Sequence, residues 1–180
     1  MRSIYRFLFW ITGWKTRGAV PTTLKQYVMI IAPHTSNWDF FVGIASRSIL
    51  KLETKYAAKK ELFRFPFGGL FKALGGFPVD RSKNNNFVDA VADLYKVHPV
   101  FSIAITPEGT RSYVPVWKTG FYYIAQKAGI PVVMVGFNYA KKEVAVEAPY
   151  YLTGNMEQDI EFMKNHYRKI PGKNPENGVR

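Results

Sequence analysis

From Pro21 onward, apolar runs short enough to be buried strands alternate with segments whose apolar residues recur at helical spacing, and this alternation predicts an α/β domain. Two further observations set its extent. The 180 residues are 47% hydrophobic, which suits one domain with a sizeable core. No internal repeat and no linker long enough to divide the chain occurs. The expected architecture is a single domain of mixed β-sheet flanked by helices over residues 21–170, with an N-terminal amphipathic helix in residues 1–20 and a frayed tail over residues 171–180.

The elements follow in order. On a helical wheel Ile4, Phe7, Leu8, Ile11 and Trp14 share one side, while Arg2, Arg6, Gly13 and Arg17 fall opposite. No acidic residue precedes Asp39, so the segment reads as an interfacial helix whose basic face suits anionic headgroups, or as a helix packed on its own core. Arg6 and Lys15 interrupt the apolar stretch and no small-x-small cleavage site follows, which disfavours a signal peptide. Residues 27–32 read as a buried strand and 40–50 as a helix. A short strand is expected at 55–58, and one or two short helices over 63–74, broken around Pro66 and Gly68-Gly69. Residues 75–81 turn the chain. Phe87, Val88, Val91, Leu94 and Tyr95 give residues 86–97 helical spacing, ahead of a strand at 100–105. A helix at 119–127 is capped at Gly129, strands follow at 132–137 and, with alternating character, at 143–147, and a helix closes at 156–168.

Composition narrows the function classes. A formal charge of +12 argues for an anionic partner, whether membrane surface, nucleic acid or phosphorylated substrate, and does not choose among them. The absence of cysteine excludes a disulfide framework and thiolate metal ligands, and fits an intracellular protein. His34, His98 and His166 are too dispersed for a zinc site. No run reaches the roughly 18 apolar residues that span a bilayer. There is no G-x-S-x-G elbow, Walker loop or dinucleotide fingerprint, which disfavours a serine hydrolase or a nucleotide-cofactor enzyme.

Chemistry concentrates at two strand ends. His34 to Asp39, after the first buried run, offers a base that titrates near neutrality and a carboxylate to fix its tautomer. Five residues along a helix is about 500°, so the pair meets only if the chain turns between them. The same residues also read as a capping box, with Ser36 capping the helix and Asp39 at the positive end of its dipole. The second cluster, Thr106-Pro107-Glu108-Gly109-Thr110-Arg111-Ser112, also follows a buried strand, where α/β sheets gather ligands. Gly109 allows close backbone approach, and Arg111 offers a planar fork for phosphate oxygens. The plainer alternative is a polar turn with a Glu108–Arg111 ion pair. Asp80-Arg81, after two glycines, places another arginine at a turn.

Taken in order and spacing, His34-Thr35-Ser36-Asn37-Trp38-Asp39, residues 75–81, Pro107-Glu108-Gly109-Thr110-Arg111 and Ile130-Pro131-Val132-Val133 resemble the four blocks of the glycerolipid acyltransferases, in particular the 1-acyl-glycerol-3-phosphate acyltransferases. The resemblance covers residues 27–140. This chain has Met134 where the last block often has a second proline, and Pro78 where the second tends to be aliphatic.

The resemblance implies transfer of a fatty acyl group from an acyl thioester to a lysophospholipid hydroxyl, with lysophosphatidate as acceptor and phosphatidate as product. His34 is then the general base and Asp39 its orienter. Arg81, Glu108, Gly109, Thr110 and Arg111 bind the acceptor's phosphate or shape its pocket, and Pro131 and Val132 line the acyl-chain pocket. The donor is acyl-CoA or acyl carrier protein, with no bound cofactor and no metal. The expected setting is the cytoplasmic face of a membrane, on an anionic surface, with peripheral or monotopic attachment and no nucleic acid as partner. Two alternatives stand beside this: an acyltransferase for another lyso-acceptor such as an amino-acid lipid, and a non-enzymatic basic module binding nucleic acid or lipid. The latter explains the charge but not two ordered motifs at strand ends.

Overall fold

The computed structural model describes residues 2–64, 68–79 and 84–180. Its strands are β1 (Lys15–Arg17), β2 (Gln26–Ala32), β3 (Lys55–Lys59), β4 (Gly76–Val79), β5 (Phe101–Ile105), β6 (Val132–Asn138) and β7 (Glu143–Val146). Its α-helices are α1 (Arg2–Thr12), α2 (Trp38–Ile49), α3 (Gly68–Ala73), α4 (Asn84–Val97), α5 (Gly120–Ala128) and α6 (Met156–Tyr167). The strands form one seven-stranded sheet in the order β1-β7-β6-β2-β5-β3-β4. Every pairing is parallel except β6 with β7, so the sheet is mixed as expected.

The strand period of two sorts β2 onto two cores. Val28, Ile30 and Ala32 face a layer containing Val91, Phe121, Ile124 and Met163 of α4, α5 and α6. Tyr27 and Met29 face the other layer, with Phe9 of α1 and Val42 and Ala45 of α2. β6 is buried along its whole length, the pattern of a central strand covered on both faces. Tyr167 fastens α6 to the middle of the sheet: its hydroxyl donates to Ile30 O at 2.9 Å and accepts from Val135 N–H at 3.0 Å.

The N-terminal segment differs from its expectation. The helix stops at Thr12, so Trp14 and Arg17 do not belong to it. Trp14 instead stands edge-on to Tyr139, with ring centroids 5.0 Å apart. Arg17 lies on β1, where it pairs with Glu143 at 3.3 Å and Glu147 at 2.8 Å. Phe9 is the residue α1 buries, while Ile4, Phe7, Leu8, Trp10 and Ile11 are exposed, from 45% at Leu8 to 76% at Trp10. The side of the helix that carries Ile4, Phe7, Leu8 and Ile11 therefore faces outward. Among the described residues no helix is long and apolar enough to cross a membrane.

Three other expectations change. Residues 76–79 form a strand where a turn was read, because pairing with β3 satisfies a backbone whose own sequence, Gly-Phe-Pro-Val, has little strand character. In β7, Val144, Ala145 and Val146 are all buried, so the expected alternation is absent. The tail is ordered: it carries a short 3-10 turn, Pro175–Asn177, and hydrogen-bonds to the loop after β2.

Candidate active site

Three adjacent strands, β6, β2 and β5, run parallel and end on one edge of the sheet. β2 leads through the cis Ala32–Pro33 peptide to His34, β5 to residues 106–112, and β6 to Tyr139. This is the carboxyl edge, where open α/β sheets hold ligands.

His34 and Asp39 meet across the turn between β2 and α2. The helix begins only at Trp38, so the five-residue spacing closes instead of separating the side chains. His34 Nδ1 lies 3.0 Å from Asp39 Oδ2. The aspartate side chain is 1% exposed and the imidazole 17%. Asp39 Oδ2 also accepts from the N–H groups of Thr35 at 2.8 Å and Ser36 at 2.9 Å, and Oδ1 accepts from the Tyr139 hydroxyl at 2.7 Å. Burial pushes the carboxyl's pKa up, but the hydrogen bonds from His34, Tyr139 and Ser36 outweigh it and hold the group below its ordinary value. An ionised carboxylate at Nδ1 keeps the proton on that nitrogen and leaves Nε2 as the basic one.

The capping reading holds in part. The N-cap position is Asn37, without a side-chain cap, and Ser36 Oγ accepts from Trp38 N–H at 3.2 Å. Asp39 ties the loop and touches the imidazole at once, so the two readings of that residue are compatible.

Glu108 turns inward. Its Oε2 accepts from the His34 backbone N–H at 2.9 Å, and Oε1 has no partner among the described residues. Burial pushes its pKa up to about 7 despite that bond, and the nearby charge of Asp39 adds to the rise. The Glu108–Arg111 ion pair does not form: among the described residues Arg111 is exposed and makes no salt bridge. Gly109 has φ +67°, a left-handed conformation that disfavours any side chain, and a Cβ there would sit 2.9 Å from Lys118 Cε. Thr110 is exposed, its Oγ1 3.4 Å from Ser112 N.

The other expected site residues lie elsewhere. Arg81 falls outside the described residues. Pro131 and Val132 are buried where β6 begins. Val132 pairs with Val28, whereas the dyad follows the far end of β2, so the structure does not bring these two to His34. A cavity of about 570 Å³, lined in part by Arg47, Lys51, Lys55 and Ser102, also opens at that opposite end, since Ser102 pairs with Tyr27.

Two contributors escaped the sequence reading. Tyr139 reaches Asp39 across 100 positions, and only the β6–β2 register could have placed it there. Asn174 brings the tail onto the loop: its N–H lies 3.2 Å from Thr35 Oγ1 and its Nδ2 donates to Thr35 O at 2.8 Å. Gly172 allows that approach, because a Cβ there would lie 2.6 Å from Thr35 Oγ1. Lys173, between them, sets its ammonium 5.0 Å from the Trp38 ring centroid.

An α/β sheet thus carries a carboxylate-bound histidine at its carboxyl edge and, on the neighbouring loop, an exposed arginine that makes no salt bridge among the described residues. The family model named Acyltransferase matches residues 15–138, and the chain belongs to that family. Comparison with curated protein sequences finds no match. Among solved structures, the fold is similar to the crystal structure of the 1-acyl-sn-glycerophosphate (LPA) acyltransferase PlsC from Thermotoga maritima. The TM-score is 0.63 at 17% identity, over 92% of this chain and 74% of that one.

Proposed function

We propose that this acyltransferase moves a fatty acyl group from an acyl thioester, acyl-CoA or acyl carrier protein, to the hydroxyl of lysophosphatidate. His34 Nε2 takes the hydroxyl proton as the acceptor oxygen attacks the thioester carbonyl carbon. Collapse of the tetrahedral intermediate breaks the C–S bond, and the departing thiolate receives the proton from the imidazolium. Asp39 stabilises that imidazolium and holds its orientation. The observation that carries this reading is the buried Asp39 carboxylate on His34 Nδ1, held ionised by its hydrogen bonds.

The acceptor's phosphate meets Arg111, an exposed side chain without a salt bridge among the described residues and capable of a bidentate contact, with Arg81 as a second cation. Lipid reaches the site from a membrane surface. The outward apolar face of α1 supports this, as do exposed Trp38 and Phe41 at the start of α2, near the dyad. At 1.5 Å per residue α1 is roughly 16 Å long, about half the hydrocarbon thickness, and so lies along the surface.

Thiol release from acyl-CoA and acyl carrier protein across a panel of lysolipids tests the reading. Wild type releases thiol with lysophosphatidate, and His34→Ala loses roughly 10²-fold or more in turnover while remaining folded. A wild type that prefers a phosphate-free lysolipid removes the phosphatidate assignment. Unchanged turnover in His34→Ala removes the base.

A further inference from the structure

The carboxylate of Asp39 has two oxygens with unequal surroundings. Oδ2 faces the catalytic loop and receives His34 Nδ1 and the N–H groups of Thr35 and Ser36. Oδ1 faces the end of β6 and receives the hydroxyl of Tyr139. Tyr139 follows directly after β6 and lies one residue beyond the segment that the family model matches.

Tyr139 is itself held from three directions. Its backbone N–H donates to Pro171 O at 3.0 Å, its carbonyl oxygen lies 3.4 Å from Lys142 N, and its ring meets Trp14 edge-on, interplanar angle 89°. The phenol therefore cannot drift with the carboxylate, and it fixes the rotation of the carboxylate from the side away from the imidazole. It also carries part of the negative charge of Asp39, because a hydrogen bond from a phenol withdraws electron density from the accepting oxygen. Burial and the Asp39 carboxylate both push the phenol's own pKa well up, so it remains a donor throughout the working range.

We propose that Tyr139 is a positioning residue of the dyad: its hydroxyl, on Asp39 Oδ1, orients the carboxylate and moderates how strongly it holds the proton on His34. The assignment rests on the reading of His34 as general base. A carboxylate without the phenol is more basic, supports the imidazolium more strongly and is free to turn. Both effects disfavour return of the proton to the leaving thiolate.

The groups around the dyad that also carry or change charge are Glu108, from the loop after β5, and Lys173, from the tail over Trp38. Both remain in place in Tyr139→Phe, so a comparison of that variant with wild type isolates the hydroxyl.

Tyr139→Phe is expected to lower kcat roughly tenfold with little change in KM for the lysolipid, and to move the acid limb of kcat/KM to higher pH by about half a unit or more. A merely structural tyrosine would lower melting temperature and leave the limb unmoved. Trp14→Leu is the companion variant, since it disturbs the packing of the ring and keeps the hydroxyl. It is expected to cost stability and to leave the limb at its wild-type position. A readout independent of turnover is the proton resonance of His34 Nδ1–H, which should move downfield in Tyr139→Phe as the carboxylate becomes a stronger acceptor. An unchanged resonance in Tyr139→Phe, or an equal displacement of the limb in Trp14→Leu, overturns the inference. Should wild type release no thiol with any lysolipid, the acyl-transfer reading fails, while the resonance still decides whether Tyr139 acts on the dyad.

Discussion

Asp39 and Glu108 are both buried carboxyls in contact with His34, one at its side chain and one at its backbone, yet they are held in opposite states. Asp39 accepts four hydrogen bonds and its pKa is lowered. Glu108 accepts one from the described residues, and burial carries it to about 7. Depth in the protein is similar, 3% and 5% exposed, so burial does not decide the charge. The number of donors aimed at each oxygen does. The consequence is a fixed negative charge behind the imidazole and, on the backbone of the same residue, a carboxyl that changes charge near neutrality.

The largest test removes the fixed charge. Asp39→Asn keeps an oxygen for some of the loop's N–H groups but cannot stabilise an imidazolium, so turnover should fall by 10² or more with a modest fall in melting temperature. Thermal unfolding run beside the turnover assay separates the two effects. Early melting with normal turnover when folded would make Asp39 a loop tie alone.

The next test acts on the neutralised carboxyl. The folded pKa of Glu108, about 7, lies above the ordinary 4.5, so folding takes up a proton between those values. The stability that Glu108 confers is fully present below about pH 4.5 and is lost as pH rises through about 7, on the order of 3 kcal/mol in all. Asp39 has the opposite sign, with its contribution lost as pH falls. Glu108→Gln should therefore flatten the decline in melting temperature from pH 5 to 8. An unchanged slope would mean that Glu108 is ionised throughout.

On the same loop as Glu108, Arg111→Lys keeps the charge and loses the fork, while Arg111→Ala loses both. The Michaelis constant for a phosphorylated lysolipid should rise several-fold in the first and tenfold or more in the second, with little change on a phosphate-free lysolipid. Equal losses on both acceptors would make Arg111 structural.

The smallest effect is expected on the Asp39 side. Asn174→Ala strands Thr35 O, which should cost about 1 kcal/mol. For a chain of this size that lowers melting temperature by about 2–4 °C. Melting in the presence and absence of lysolipid checks it.

The two strand-end clusters were legible because each places reactive residue types directly after an apolar run, and a run that stops at His34 or Thr106 marks a sheet edge. The partners that finish the site were not. Tyr139 sits 100 positions from Asp39 and Asn174 sits 139 from Thr35, distances that no local pattern encodes. Residues 172–180 read as frayed because Gly, Pro and Asn dominate them, yet those same small and polar residues let a backbone lie against the loop after β2. A wheel over the first 20 residues runs past the end of α1 at Thr12 and so takes in Trp14 and Arg17, because spacing alone does not mark where a helix stops. β1 has three residues and no periodicity to detect. It exists because β7 offers it a parallel edge.

That three-residue strand has a consequence for how the molecule behaves in company. An open strand edge is a template on which another chain can add its own backbone. β7 would present such an edge, with Val144, Ala145 and Val146 behind it. β1 covers it and then ends too soon to offer a ladder of useful length. Two of its three side chains, Lys15 and Arg17, are cations that are mostly exposed even while paired with Glu143 and Glu147. A second copy approaching this flank meets a row of paired charges and a rim with few free backbone groups, a poor template for continuing the sheet.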